Sequence, residues 1–348
     1  MIFVVFFLLS VAFSILINGL FLKFSGTLGS KNSGDKTMIR WGSTSKPAMG
    51  GISFFIVFLL SFSLFTSFFS TENINAQHFG ILLATSLGFL VGLADDAYNT
   101  KPFLKFIGQF ACAIILIVSD VYIQLFDIEW LNYFLTIFWV IGMMNSINML
   151  DNMDAITTSV SIGAITLILL ILITLNQTND ILFWLCLGVL ASLLGFLYYN
   201  WNPSRMYMGD TGSQFLGVLL AALGILFFWN GYEVNDTRWF TKFITPILAF
   251  LPSIVDTTTV TINRLAKGTS PFVGGRDHTT HHLSYFGFTD RQIALIFLGL
   301  SLLSAAICLY VNYYMEQWNG FIISTTIGYA LIVFVLLFGL TKRKNQNS

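Results

Sequence analysis

The sequence predicts an all-α integral membrane protein, a polytopic helical bundle of about eleven spans, and three observations carry that reading. Of 348 residues, 55% are hydrophobic and only 10% are charged, against about 25% charged in an ordinary soluble domain. A soluble chain of this length would divide into domains that each need a polar surface. The 17 basic and 17 acidic residues are too few to cover even one. Long apolar runs recur along the chain, with 36 Phe and a mean hydropathy of +0.77. Lipid is therefore the main solvent.

A spanning helix needs about 20 predominantly apolar residues. On that rule the spans fall near residues 1–22, 48–69, 79–94, 103–119, 131–149, 159–175, 181–199, 213–229, 243–262, 292–311 and 321–340. The first has no basic leader and no small-residue cleavage site, and it reads as a retained span rather than a signal peptide. The fourth has the softest boundary, because Asp120, Asp127 and Glu129 follow it in a stretch that is still fairly apolar. Cys112, Cys186 and Cys308 are isolated in apolar runs, with no metal spacing and no disulfide framework.

Alternating the loops sorts the basic residues. One face takes Lys23, Lys31, Lys36, Arg40, Lys46, Lys101, Lys105, Arg205, Arg264, Lys267, Arg276, Arg291, Lys342, Arg343 and Lys344, and the other takes Arg238 and Lys242. Fifteen against two is a positive-inside bias. It predicts an N-terminus outside and a basic C-terminal tail in the cytoplasm. There is no internal repeat and no soluble domain, so residues 1–348 read as one membrane domain. Its cytoplasmic loops lie near 23–50, 95–105, 145–158, 200–213 and 263–292, and the acids Asp95, Asp96, Asp151, Asp154, Asp210, Asp256 and Asp277 cluster at that face. Carboxylates near membrane depth are costly and usually functional.

Four segments carry candidate chemistry. Asp95 and Asp96 repel one another, so they need a cation, a shared proton or ample water; a pair of solvated acids at a helix end is the plainer alternative. Lys105 follows about one turn into the next helix. In the second segment Asn145, Asn148, Asp151 and Asp154 recur every three residues. They converge only if the helix ends or bends there, because each step rotates the stripe by about 60°. In the third, Tyr198 to Gly217, Gly209 and Gly212 let a ligand approach the backbone around Asp210. Thr211 and Ser213 are candidate caps for the eighth span, whose first N–H groups form an anion site. Mg²⁺ favours one or two carboxylates plus phosphate oxygens, which suits Asp210.

The fourth segment, Ser270 to Gln292, holds three of the four histidines as His278, His281 and His282, spaced for one helix face. A zinc site would need more ligands than the nearby Asp277, so Arg276 and the paired glycines favour a phosphate loop. Asp256 reads as a supporting acid with a loop Arg as its expected partner. An ion-coupled transporter is the competing class, but it would place carboxylates at mid-membrane on broken helices.

Taken together, these segments resemble the polyprenyl-phosphate N-acetylhexosamine-1-phosphate transferases, which include the initiating enzymes of common antigen and teichoic acid synthesis and the lipid I translocase. Lys46 to Gly51 (KPAMGG) is similar to the family's first motif. Asp95, Asp96 and Lys105 match its Asp-Asp segment, Asn145, Asn148, Asp151 and Asp154 its Asn/Asp stripe, and Asp210 its metal aspartate. Two departures stand out: Asp151-Asn-Met-Asp154-Ala155 lacks the family's glycines, and the His-x-His-His motif becomes His278-Thr-Thr-His281-His282. The SPF run (Ser270 to Phe272) and the eleventh span resemble the initiating branch.

The resemblance implies transfer of a sugar-1-phosphate, with GlcNAc-1-phosphate from UDP-GlcNAc the leading choice, onto undecaprenyl phosphate with release of UMP. Phospho-MurNAc-pentapeptide transfer is the alternative. It implies Asp95, Asp96, Lys105, Asp151 and Asp154 as catalytic residues, and Mg²⁺ (or Mn²⁺) on Asp210 and Asp151. It also implies Lys46, Asn145, Asn148, Asn200, Arg276, His278, His281 and His282 as substrate-binding residues. The expected setting is the cytoplasmic face of a bacterial inner membrane, with no nucleic-acid partner and a homodimer allowed.

Overall fold

The computed structural model describes residues 2–24, 46–68, 74–231, 241–271, 274–314 and 320–342. The basic residues Lys31, Lys36, Arg40, Arg238, Arg343 and Lys344 and the Phe272 of the SPF run lie outside these, as does most of the loop expected near 23–50.

The described chain forms α1 (Ile2–Phe24), α2 (Gly50–Phe68), α3 (Ala76–Tyr98), α4 (Pro102–Val118), α5 (Glu129–Leu150), α6 (Ile156–Thr174) and α7 (Ile181–Asn200). It continues with α8 (Gly209–Gly224), α9 (Thr241–Ala249), α10 (Leu251–Ala266), the short α11 (Thr279–Tyr285), α12 (Asp290–Leu309) and α13 (Gly320–Lys342). α8 and α12 each end in a π-helical turn, Ile225–Trp229 and Tyr310–Tyr314. The only pairing of extended segments among the described residues is one parallel bridge, Ala48 to Tyr207. The helical membrane bundle expected from composition is thus the observed fold.

Nine described helices are long and apolar enough to cross a bilayer. α4 has only 17 residues, yet it runs the length of α3. Lys105 in its first turn reaches Asp95 near the end of α3, while Ser119 beyond its other end touches Gly80 near the start. The fourth expected span is therefore a short traverse.

The ninth departs from expectation. Residues 243–262 do not form one straight span but two helices, α9 and α10, bent by 89°. Phe250, at φ −118° and ψ 23°, leaves helical geometry, and Pro252 in the first turn of α10 supplies no N–H. Within the bundle α8 is buried from Thr211 onward. α3, α5 and α2 pack around it through small residues: a Cβ at Gly92 would meet the Asp210 carbonyl at 2.2 Å, and one at Gly51 the Gly212 nitrogen at 2.2 Å. Those close approaches bring three motif segments to one end of α8. The outer surfaces of α1 and α13 are rich in exposed Leu, Val and Ile, as lipid-facing helices require.

Candidate active site

The site forms where the end of α3, the start of α4, the end of α5 and the start of α8 meet. α3 stops at Asn99, whose left-handed conformation (φ 52°) closes the helix with an N–H bond to the Asp95 carbonyl at 2.8 Å. Pro102 opens α4, because its missing N–H is not needed in a first turn. The tight reversal between them brings Lys105 back over Asp95, ten residues earlier. Lys105 Nζ lies 2.9 Å from Asp95 Oδ2, 3.3 Å from Asn148 Oδ1 and 3.5 Å from Asp210 Oδ1. Thr100 closes the other side of Asp95, donating to Oδ1 from its N–H at 2.9 Å and its hydroxyl at 2.6 Å. Asn148 donates to Asp210 Oδ1 and, at 2.8 Å, to the Ser213 hydroxyl.

Asp96 does something else. Its carboxylate accepts the Asp210 N–H at 3.1 Å, the Thr211 N–H at 2.8 Å and the Thr211 hydroxyl at 2.7 Å. It therefore caps α8 from α3 and holds the backbone on which Asp210 sits. This corrects the expectation that Thr211 and Ser213 cap this helix over a free anion site. The anion at the start of α8 is the chain's own Asp96, the charge sign that a helix N-terminus favours.

Below this cluster lies a polar layer that sequence reasoning missed. Gln109 exchanges hydrogen bonds with Asn145, at 3.0 and 3.3 Å, and donates to Gln214 Oε1 at 3.0 Å. Asn145, expected at the substrate, takes part in this layer from a half-buried position. Only the spacing of Gln109 one turn after Lys105, and of Gln214 one turn after Asp210, could have signalled it.

The Asn/Asp stripe splits because α5 ends at Leu150. Asp151 turns out of the helix. Burial first, then the charges of Asp210, Asp96 and Asp154, push its carboxyl up to about 8. Asp154 is not brought into the Lys105 cluster. It accepts the Ser204 N–H at 2.9 Å, the Ser204 hydroxyl at 2.7 Å and the Asn202 amide at 3.0 Å, with Lys46 Nζ 3.8 Å away. Lys46 also donates to Ser204 at 2.8 Å and lies over the Tyr207 ring.

Asn200, expected to meet substrate, is a buried clamp. It accepts from Ala155 N–H at 3.1 Å and the Thr158 hydroxyl at 2.8 Å, and it donates to the Met206 carbonyl at 3.1 Å. Ala155 sits at φ 65°, a conformation that costs a residue with a Cβ about 1–2 kcal/mol. That is the position where the resembling family carries glycine.

The histidine loop reaches the same end of the bundle, through the Thr280 hydroxyl on Asn152 Oδ1 at 2.7 Å. Arg264 in α10 pins it with a two-pronged ion pair to Asp277, at 2.7 and 2.8 Å, which holds the Asp277 carboxyl low. The three histidines do not share one face. His278 precedes α11 and pairs with Asp256, replacing the loop Arg expected there, while His281 packs edge-on to His278 and His282 edge-on to Tyr285. Arg276 is exposed beside them.

Burial, with the neighbouring His278 acting in the same direction, holds His281 down to about 4 from an ordinary 6.5. The unfolded chain takes up that proton near 6.5 while the folded loop resists until about 4, so stability falls as pH drops through this window. Melting temperatures between pH 6.5 and 4.5 are expected to fall less steeply for His281→Gln than for the wild type. Parallel slopes would contradict this assignment.

Among the described residues no three His, Cys, Asp or Glu side chains converge as a closed cage for a metal. Asp210 and Asp151 offer two carboxylates with surplus negative charge around them, a donor set that suits Mg²⁺ and not zinc.

Comparison with known proteins gives the same direction. The sequence model of "Glycosyl transferase family 4" matches residues 78–228, the stretch from α3 to the end of α8. A probable undecaprenyl-phosphate N-acetylglucosaminyl 1-phosphate transferase of Bacillus subtilis (strain 168) is 28% identical over 259 residues, covering 72% of this chain and 69% of that protein. The phospho-N-acetylmuramoyl-pentapeptide-transferase of Listeria welshimeri is 27% identical, covering 75% and 82%. That of Staphylococcus aureus (strain Newman) is 26% identical, covering 77% and 86%. The chain is thus similar to glycosyl transferase family 4 over its central residues 78–228 and, over about three quarters of its length, to these two kinds of bacterial phosphosugar transferase.

Proposed function

We propose that the protein moves N-acetylglucosamine-1-phosphate, or that of a close N-acetylhexosamine, from a UDP-sugar onto undecaprenyl phosphate. An oxygen of the lipid phosphate attacks the β-phosphorus, the bond from that phosphorus to the UMP oxygen breaks, and UMP leaves. A lipid-linked sugar diphosphate remains, of the kind that starts a cell-envelope polysaccharide. The observation that carries this reading is the meeting of Lys105, Asp95, Asn148 and Asp210 at four helix ends. It is an arrangement for positioning and charge compensation, which is most of what phosphoryl transfer asks of a protein.

The lipid phosphate, with a second pKa near 6, is already largely ionised at neutral pH. Asp95 therefore has little need to act as a base, and its bonds to Lys105 and Thr100 suit it to holding the ammonium in place. Asp210 and Asp151 would hold Mg²⁺, with Mn²⁺ as the alternative, and the ion when bound supplies further neutralisation of the diphosphate. Lys46 and Asp154 tie the first motif to the 200–208 loop, and the loop from Gly274 to His282 faces the donor. The basic bias of the loops supports a cytoplasmic setting for this end of the bundle.

The second reading, phospho-MurNAc-pentapeptide transfer, is favoured by the Listeria and Staphylococcus relatives, which match over more of their own length. A donor panel with undecaprenyl phosphate separates the two. Release of UMP from UDP-GlcNAc or UDP-GalNAc, stopped by EDTA and restored by Mg²⁺, is the expected result. Turnover confined to UDP-MurNAc-pentapeptide would overturn the choice of donor, and turnover indifferent to EDTA would overturn the metal.

A further inference from the structure

Asp256 lies inside the bundle with no exposed surface. An isolated carboxylate there would be costly, yet both of its oxygens are engaged. Oδ2 stands 2.8 Å from His278 Nδ1, while Oδ1 accepts the Thr279 N–H at 2.8 Å and the Thr279 hydroxyl at 2.6 Å. His278 precedes α11 in extended conformation and makes no capping bond of its own. Asp256 thus anchors the start of α11 from α10 and fixes a histidine ring in the same grip.

A carboxylate can only accept, so the His278 nitrogen that faces it carries the proton. The ring is held in one tautomer and Nε2 is the atom left to meet anything else. No other described acid competes for Nδ1. Asp277 is taken by Arg264, and Asp290 and Arg291 at the start of α12 both engage Asn202. The neighbouring His281 lies edge-on with its centroid 5.4 Å away. α13 adds Val333 and Leu337 to the apolar cluster around Leu283, while Lys342 at its end sits over the Phe338 ring.

We propose that Asp256 is a positioning residue for the phosphosugar transfer, holding His278 so that Nε2, left unprotonated in this fixed tautomer, is presented as a hydrogen-bond acceptor to a hydroxyl of the nucleotide-sugar donor. This rests on the reading that the histidine loop faces that donor. It separates Asp256 from a plain helix anchor. Asn at this position keeps an acceptor for Thr279 but turns an NH₂ donor toward Nδ1, which forces the opposite tautomer. The same exchange behind a catalytic histidine in serine proteases leaves the geometry intact and removes activity through the tautomer.

The test uses full-length protein in detergent, labelled with ¹⁵N-histidine, with the His278 signals identified by their loss in His278→Gln. Wild-type His278 is expected to carry its proton on Nδ1 at pH 7.5, and Asp256→Asn to move it to Nε2. In that variant kcat/KM for the UDP-sugar is expected to fall about ten- to hundredfold, the size seen when the carboxylate behind a ligating histidine is removed. The double variant should be no worse than His278→Gln alone, since the two act as one unit. An unprotonated Nδ1 in the wild type would overturn the proposal, and that measurement stands even if Asp256→Asn does not fold. A flipped tautomer with unchanged kinetics would also overturn it, leaving only the anchor. If the wild type turns over no UDP-sugar, the functional reading fails separately, while the tautomer still reports on the pair.

Discussion

Asp210→Asn is expected to lower turnover by about 10³-fold, the scale at which a single charge-stabilising group acts in a preorganised site. The bundle should remain intact. Asp210 sits at the half-buried start of α8, but its backbone N–H is held by Asp96 and its side chain contributes no cap. Its Oδ1 meets Asn148 and Lys105, so the substitution exchanges a carboxylate for an amide between a donor and an ammonium. Asn keeps the shape and loses the charge, and with it the Mg²⁺ proposed there. Turnover measured alongside the melting temperature checks both halves. Near-normal activity in the folded variant would remove Asp210 from the chemistry.

Asp96→Ala is expected to act through structure. Three hydrogen bonds at the N-terminus of α8 disappear together, and losing an N-cap costs about 0.5–2 kcal/mol. The backbone of Asp210 is then free to shift, and a small misplacement at a reacting centre costs about 10²-fold in rate. Asp96→Asn retains an acceptor and should keep most of the stability and part of the activity. Melting temperature and turnover should therefore fall in the order wild type, Asn, Ala. If Asn and Ala are equally inactive at the wild-type melting temperature, Asp96 works by its charge on the reaction and not as a cap.

Much of this was legible in the sequence because membrane helices declare themselves. Spans near 131–149 and 181–199 are observed as Glu129–Leu150 and Ile181–Asn200, since apolar length is all that a bilayer asks. Lys105 beside Asp95 was equally readable, because a short reversal leaves those two few alternatives. The break at Phe250 was not, since both halves of that segment are apolar and one residue outside helical geometry makes the bend. Nor was the division of labour among the acids. Asp95, Asp96, Asp154 and Asp256 look alike along the chain. What separates them is whether Lys105, the α8 backbone, Ser204 or His278 arrives from a distant segment. The clamp at Asn200 was hidden for the same reason: its partners Ala155 and Met206 meet only when α6 and α7 pack together.

The central claim is that phosphorus travels with the sugar, and one labelled donor tests it directly. UDP-GlcNAc carrying ³²P at the β-position would be incubated with the purified protein, undecaprenyl phosphate and Mg²⁺. The account predicts label in the lipid fraction and unlabelled UMP in the aqueous phase, in equal amounts. Label retained in released UDP, with an unlabelled lipid glycoside, would show sugar transfer without phosphate and contradict the account.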